Sequence, residues 1–148
     1  MSDYIHPATI EAAIKVASNL LPDDLREVEE GHGRSAMEEL TLAAHRGGNC
    51  VWFEVPNGKT AGMAGVETGG NVWMLCTPAI LEYPITFARE AKRFIERQEE
   101  PLLWNIVDKR NKVHLKLLRF LGFKFLREIS HGPHNLSFIE FCRVRTLS

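Results

Sequence analysis

The sequence has few cysteines, no cysteine pair at redox or metal-ligand spacing, and no long apolar run. Among its 148 residues, the three cysteines Cys50, Cys76 and Cys142 each lie in or beside an apolar, strand-like segment. Reduced cysteine behaves as a small apolar residue, so we expect buried free thiols rather than a disulfide framework. No apolar segment approaches the roughly 20 residues that span a bilayer, so no transmembrane helix is expected.

An excess of charge of one sign is also lacking. The chain has 18 Lys and Arg residues against 19 Asp and Glu residues, a formal net charge of −1. Nucleic acid is therefore not expected as a specific ligand. Residues 1–9 have neither the basic start nor the apolar centre of a signal peptide. We expect one domain over residues 1–148, kept in a cytoplasm or packed into a particle made there.

No metal site is predicted. The only closely spaced histidines, His131 and His134, flank a Gly-Pro pair that is typical of a hairpin turn. A metal ion needs further ligands at suitable spacing, and no third candidate stands nearby in the sequence.

Residues 1–48 have the pattern of a helical N-terminal part. Thr9 and Ser35 are suitable N-caps, and Glu38 completes a capping-box pattern with Ser35. Pro22, followed by two aspartates, suits the first turn of a short helix. The predicted helices run from the Thr9 cap to residue 20, from 22 to 31, and from the Ser35 cap to the glycine pair at 47–48.

Residues 49–148 have the pattern of a sheet with two helices. The dipeptides at 57–58 and 69–70, Asn-Gly and Gly-Gly, favour tight hairpins because they accept positive φ. An amphipathic pattern predicts a helix over about residues 85–98. The predicted strands lie at 49–55, 60–67, 71–77, 102–107, 123–130 and 136–144, with a second helix after residue 111.

The segment at 102–123 reads as a buried strand, a capped helix and a turn that ends on glycine. Asn105 is the polar residue of the strand, Asn111 is a suitable helix cap, and Gly122 ends the helix where positive φ is expected. This order resembles the C-terminal part of the GNAT superfamily of N-acetyltransferases. The resemblance implies an α+β fold: a single GNAT-like domain with a mixed, mostly antiparallel sheet and helices on both faces.

A more specific resemblance involves three segments together, at 25–40, 71–77 and 102–123. They look like the small GNAT-like proteins of tailed bacteriophages, which include the small internal virion proteins of short-tailed phages. This resemblance implies a component of the virion interior that takes part in particle assembly or genome delivery. Phage virion or host proteins are then the expected partners.

Two catalytic devices of the GNAT superfamily are missing from the matching positions. The superfamily holds the pyrophosphate of acetyl-CoA on a glycine-rich loop after its fourth strand. Here residues 78–85 contain no glycine, carry Glu82, and include Pro84, which has no N–H to donate. Many members also use a tyrosine one turn before the helix-ending glycine as proton donor, and Leu118 stands there. We therefore expect a catalytically degenerate protein without a cofactor, acting as a structural or interaction component.

An alternative function is acetyl-CoA-dependent N-acyl transfer to a host protein or a small amine. For that alternative, the candidate residues of the cofactor cleft are Leu75, Cys76, Thr77, Asn105 and Asn111. Asn105 is otherwise a paired core amide, Asn111 a helix cap and Cys76 a buried thiol. His114, one turn beyond the cap, is either a base or a structural histidine.

Positive charge is concentrated on the two predicted helices of the C-terminal half, whereas acidic residues are concentrated at positions 23–39. The simplest interpretation is solvated helix faces. A second interpretation is a polarised surface that contacts a partner protein or packaged DNA, and a third is a regulator of a host nucleic-acid enzyme. The basic residues are Arg89, Lys92, Arg93, Arg97, Lys109, Arg110, Lys112, Lys116 and Arg119.

Overall fold

Seven strands form one sheet in the order β1-β2-β3-β4-β5-β7-β6 in the computed structural model, which describes residues 3–145. Residues 1–2 and 146–148 of the predicted domain lie outside the described part. All neighbouring strands are antiparallel except β4 and β5, which are parallel. The strands are β1 (Ile5–Pro7), β2 (Cys50–Glu54), β3 (Thr60–Glu67), β4 (Asn71–Cys76), β5 (Leu102–Asp108), β6 (Lys124–His131) and β7 (Leu136–Val144).

Between residues 3 and 145, six α-helices and one π-helical turn accompany the sheet. The predicted caps at Thr9, Ser35 and Asn111 are confirmed, because each side chain accepts a hydrogen bond from a backbone N–H of the first turn. No helix within residues 3–145 is both long and apolar enough to cross a bilayer. The helices are α1 (Ile10–Ser18), α2 (Pro22–Arg26), α3 (Ala36–Arg46), α4 (Ala79–Glu82), α5 (Pro84–Glu96) and α6 (Lys112–Phe120), and the π-helical turn (Glu27–Gly31) continues α2.

The helices cover the sheet from both sides because successive strand side chains point to opposite faces. On one face, Met63 and Leu75 of the central strands pack with apolar residues of α1 and α3. On the other face, their neighbours Ala64 and Met74 belong to a larger core that includes α5 and α6. The structure is therefore the predicted α+β domain with a mixed, mostly antiparallel sheet.

Two short elements, β1 and α4, were not predicted, and the helix predicted over residues 22–31 ends in a π-helical turn. The strand β1 lies inside the part predicted to be helical, and its three residues are too few to show an alternating pattern. Gly122, with φ of 89°, ends α6 as predicted. All three thiols are free, but the expectation that all are buried is wrong for Cys142, which is partly exposed and pairs with Trp104 of β5.

Candidate functional site

The parallel strands β4 and β5 are joined at their first residues and then separate. Within the described residues, their single register pair is Asn71 with Trp104, beside a hydrogen bond of 3.0 Å from the Trp104 N–H to the Gly70 carbonyl. Directly beyond it, the Asn105 side chain donates to the Val72 carbonyl at 2.7 Å, and its oxygen accepts from the Ile106 N–H at 2.7 Å. The Asn105 side chain thus takes the place of the backbone hydrogen bonds that would continue the ladder between β4 and β5, and the two strands are held apart.

Gly70 permits the close approach at the joined end. Its φ is +87°, and a Cβ atom built on it would lie 1.9 Å from the Leu102 carbonyl oxygen. Only glycine accepts both this conformation and this contact. The Gly-Gly pair predicted to make a hairpin turn therefore also sets the distance between β4 and β5.

A cavity of about 350 Å³ opens where the two strands separate. This volume lies in the range of small-molecule sites. Its apolar wall includes Leu118, the position of the missing tyrosine. Its polar lining includes Glu27, Asn105 and His114, together with His32 and His131.

The far end of β4 is covered by the chain itself. The Thr77 N–H bonds to Ala61 of β3 at 2.9 Å, so the backbone groups of Cys76 point toward the gap. The Cys76 N–H donates to Asp24 Oδ2 at 2.8 Å, and its carbonyl accepts from the Leu21 N–H at 2.9 Å. The segment that leads into α2 therefore occupies the edge of β4 that a ligand between the strands would need.

Asp24 is the centre of a buried polar cluster. It is 1% exposed, and its Oδ1 accepts from Asn111 Nδ2 at 2.7 Å and lies 3.1 Å from His114 Nδ1. Burial alone raises the pKa of Asp24, but the charge of His114 and the hydrogen bonds from His114, Asn111 and Cys76 lower it below its usual value. Burial lowers the pKa of His114, but Asp24 and Glu27 raise it to about 9. His114 is therefore a protonated, structurally fixed imidazolium at neutral pH.

Glu27 is the second buried carboxyl group of this cluster. Its Oε1 accepts from the Asp108 N–H at 2.8 Å. Burial raises the pKa of Glu27 to about 7, while the His114 charge and this hydrogen bond act in the opposite direction. Nearby, Arg110 holds Asp108 at 2.8 Å and Glu30 at 3.3 Å. One wall of the cavity thus places a proton acceptor, Glu27, beside a proton donor, His114.

The glycine-free loop after β4 folds into a helical turn. The N–H groups of Ile80 and Leu81 bond back to Thr77 and Pro78, so they do not point at a common external anion. Pro84 stands in the first turn of α5, which has no side-chain cap, and Glu82 forms an ion pair of 3.1 Å with Lys59. The N–H groups of Ile80 and Leu81 are therefore not available to bind a phosphate group.

The structure separates the five predicted cleft residues. Leu75 and Asn105 line the cavity, whereas its wall within residues 3–145 does not include Cys76, Thr77 or Asn111. The Cys76 side chain lies in the core, where burial raises the pKa of its thiol well above the usual value. Thr77 Oγ1 donates to the Thr60 carbonyl of β3 at 2.9 Å, and Asn111 caps α6 at 3.3 Å from the His114 N–H.

Sequence patterns missed the acidic and histidine partners of the site. Asp24 fits a helix start in the sequence, and its partners lie 52 to 90 positions away. His32 Nδ1 lies 2.9 Å from Nε2 of His131, a residue predicted only as part of a turn. Within the described part of the chain, no group of three His, Cys, Asp or Glu side chains is arranged to hold a metal ion. No spacing in the sequence identifies such partners.

Comparison with known proteins gives no match to a protein-family model and no match to a curated protein sequence. Solved structures do match. A GNAT-family acetyltransferase from Bacillus anthracis superposes with a TM-score of 0.67 at 8% identity, over 95% of this chain and 93% of that chain. One from Bacillus cereus has a TM-score of 0.64 at 11% identity, over 97% of both chains.

A third similar structure is RimL, the ribosomal L7/L12 alpha-N-protein acetyltransferase, in complex with coenzyme A. It has a TM-score of 0.61 at 10% identity, over 97% of this chain and 96% of that chain. Matches at such low sequence identity show a similar backbone fold and give no information on the chemistry of the site. The chain therefore has the fold of the GNAT acetyltransferases, in a single GNAT-like domain.

Proposed function

We propose that this chain is a catalytically degenerate GNAT-fold protein that acts by binding other macromolecules. The observation that carries the proposal is the occupancy of the Cys76 edge of β4 by Leu21 and Asp24. The resemblance to GNAT enzymes implies that the cofactor enters between the two separated strands. In this chain a buried carboxylate, itself bonded to α6, lies there instead.

Two further observations support the loss of the cofactor. In the loop after β4, the N–H groups of Ile80 and Leu81 donate within the loop's own helical turn, and no glycine is present. Leu118, which is 6% exposed, faces the cavity where many GNAT enzymes have a proton-donating tyrosine. Acetyl-CoA is thus not expected to bind, although RimL holds coenzyme A in the same fold.

The partners we propose are phage virion or host proteins. The support is the resemblance of three sequence segments to small internal virion proteins of short-tailed phages. In that role the chain is a component of the virion interior, in particle assembly or genome delivery. Its location is the virion or the cytoplasm of the infected bacterium. Mass spectrometry of purified particles tests this role, and absence of the chain from them overturns it.

The first experiment on the site is calorimetric titration with acetyl-CoA, using free CoA and ATP as comparison ligands. We expect no detectable heat of binding. A micromolar dissociation constant, about −8 kcal/mol, overturns the proposal. A useful comparison variant combines Asp24→Gly with His114→Leu, because it removes both members of the ion pair that closes the gap.

A second candidate function is N-acyl transfer, favoured by the positions of Glu27 and His114 on one cavity wall. Their pKa values of about 7 and about 9 suit a base and an acid at neutral pH. In this reaction Glu27 takes a proton from the amine, which attacks the acetyl carbon of acetyl-CoA. The new N–C bond replaces the C–S bond of the thioester, and His114 protonates the departing thiolate of CoA. Acetyl transfer to a panel of amines and peptides tests it, and any such activity must be lost in Glu27→Gln.

A further inference from the structure

The helices α5 and α6 present a row of cations on the side of the sheet opposite α1 and α3. Glu96 is the one exposed carboxylate on these two helices, since Glu90 is buried. We call this surface the cationic face, and it consists of Arg89, Lys92, Arg97, Lys112, Lys116 and Arg119.

The cations of this face lack carboxylate partners. Within residues 3–145, none of the six takes part in an ion pair, although each side chain is at least partly exposed. In the same part of the chain nine other Lys and Arg side chains form ion pairs, for example Lys15 with Glu11 at 3.2 Å, Lys59 with Glu82 at 3.1 Å and Arg127 with Glu140 at 2.6 Å. The positive field of the face is therefore not neutralised by its own surface.

The two helices form one continuous surface. Lys92 Nζ of α5 lies 5.2 Å from the centre of the Phe120 ring at the end of α6. Arg97 and Arg119 also lie over aromatic rings, those of Phe94 and Phe125, at 5.5 and 5.1 Å. These contacts hold the long side chains along the surface, which lowers the entropy lost when they bind an anion. At 1.5 Å per residue, the cations extend over about 12 Å along α5 and about 10 Å along α6.

The formal net charge of −1 conceals this distribution. Seven acidic residues lie between positions 23 and 39, in the α2 to α3 region. Several of them are already engaged, as Asp24 with His114 and Glu30 with Arg110. Unpaired positive charge is thus concentrated on α5 and α6, and this surface attracts a polyanion.

We infer that the cationic face binds the phosphate backbone of double-stranded DNA without reading its sequence. Unpaired Lys and Arg side chains on a rigid two-helix surface match a regular array of phosphates, and such contacts carry no base specificity. An anionic membrane fits less well, since the exposed Leu81 and Ile85 lie at one end, beside the Glu82 carboxylate. This inference goes beyond the proposed function by naming a partner, and it holds or fails independently of acetyl-CoA binding.

The test is fluorescence anisotropy of a labelled 20-base-pair duplex titrated with the protein at 50 to 200 mM salt. For about four phosphate contacts, affinity falls about 100-fold over this range, with a slope of log K against log salt near −3.6. The variant Lys92→Gln/Lys116→Gln/Arg119→Gln is expected to bind about tenfold or more weakly at 50 mM salt. Its slope is expected to be smaller by about 2.7.

The matched control is Lys15→Gln/Lys59→Gln/Arg127→Gln, which removes three ion-paired cations outside the face and changes the net charge equally. It is expected to keep the wild-type affinity to within about twofold, and circular dichroism checks that both variants are folded. The inference is overturned by absence of binding at 50 mM salt, by salt-independent binding, or by equal loss in both variants. It is also overturned if phosphatidylserine vesicles or polyglutamate bind through the face and the duplex does not.

Discussion

The two ends of the β4 and β5 junction satisfy their backbone hydrogen bonds in different ways. At the joined end, the Trp104 N–H bonds to the Gly70 carbonyl, one strand to the next. At the open end, the two backbone groups of Cys76 bond to Leu21 and to the Asp24 carboxylate. Because a buried strand edge must find partners, an opened sheet is closed either by a ligand or by its own chain. In this chain it is closed by its own chain.

The difference has an energetic consequence. The joined end uses neutral backbone groups, whereas the open end uses a carboxylate and an imidazolium taken out of water. A buried ion pair contributes little net stability while complete, but loss of one partner is costly. Substitutions at the open end are therefore expected to have the largest effects, and only that end is expected to respond to pH.

Breaking the open end is expected to have the largest effect. Asp24→Ala should lower the free energy of unfolding by about 3–5 kcal/mol, because it leaves His114 buried without its counter-charge and the Cys76 N–H without an acceptor. Urea denaturation measures the change. The control is Asp23→Ala, which removes an exposed ion pair with Arg26 and should cost less than about 1 kcal/mol. Equal losses in the two variants contradict the central role of Asp24.

The pH dependence of stability sharpens the same comparison. Glu27, with a pKa raised to about 7, binds its proton more tightly in the folded state, so its contribution is present below about pH 4.5 and is lost as pH rises through 7. His114, whose pKa is raised to about 9, also stabilises the folded state below about pH 6.5, and this stabilisation is lost as the pH rises through 9. Together the two shifts predict that the free energy of unfolding falls by about 5 kcal/mol from pH 5 to 9.

Thermal unfolding at a series of pH values measures this fall. In Glu27→Gln the part between pH 5 and 7 should disappear, while the part between pH 7 and 9 remains. A flat profile in the wild-type protein, or an unchanged profile in the variant, contradicts the assignment of these two groups.

At the joined end, Gly70→Ala tests the close contact of the backbones. The new methyl group meets the Leu102 carbonyl oxygen, and the positive φ is strained for alanine, so the expected loss is about 2–3 kcal/mol. The neighbouring Gly69 has φ of +94°, and no atom lies within 4 Å of a Cβ built on it. Gly69→Ala therefore tests the backbone strain of alanine at positive φ without a steric contact. Chemical denaturation of both variants should give the larger loss for Gly70. The reverse order contradicts the contact.

Between the two ends, Asn105→Leu removes the amide that separates the strands. The Val72 carbonyl and the Ile106 N–H lose their partners, which is expected to cost about 1–2 kcal/mol. Denaturant unfolding followed by tryptophan fluorescence measures this loss. A change below about 0.5 kcal/mol shows that the strands separate for another reason.

The fold could be predicted to a large extent because its signals are local. The caps at Thr9, Ser35 and Asn111 bond to N–H groups three residues away, and the apolar periods lie within single elements. The elements that escaped prediction are short or irregular. One of them is α4, a single helical turn in the loop after β4. The sequence predicted only that this loop lacks a glycine-rich phosphate cradle.

The candidate site could be predicted only in part. Asn105 was recognisable as a polar residue in an apolar strand, and the structure places it at the point of separation. Glu27 had no such signal, because acidic residues are common in short surface helices. What makes it unusual is burial against the Asp108 N–H, 81 positions away in the sequence.

The sequence by itself determined the order of the elements, their caps and turns, and the absence of a glycine-rich phosphate loop, since each depends on neighbours within a few residues. Only the tertiary structure decided that Asp24 closes the end of β4 and that Glu27 and His114 share one cavity wall. It alone also places the cations of α5 and α6 on one continuous surface. The physical reason is that a charge is stabilised by whatever packing brings beside it, and packing joins residues that are far apart in the chain.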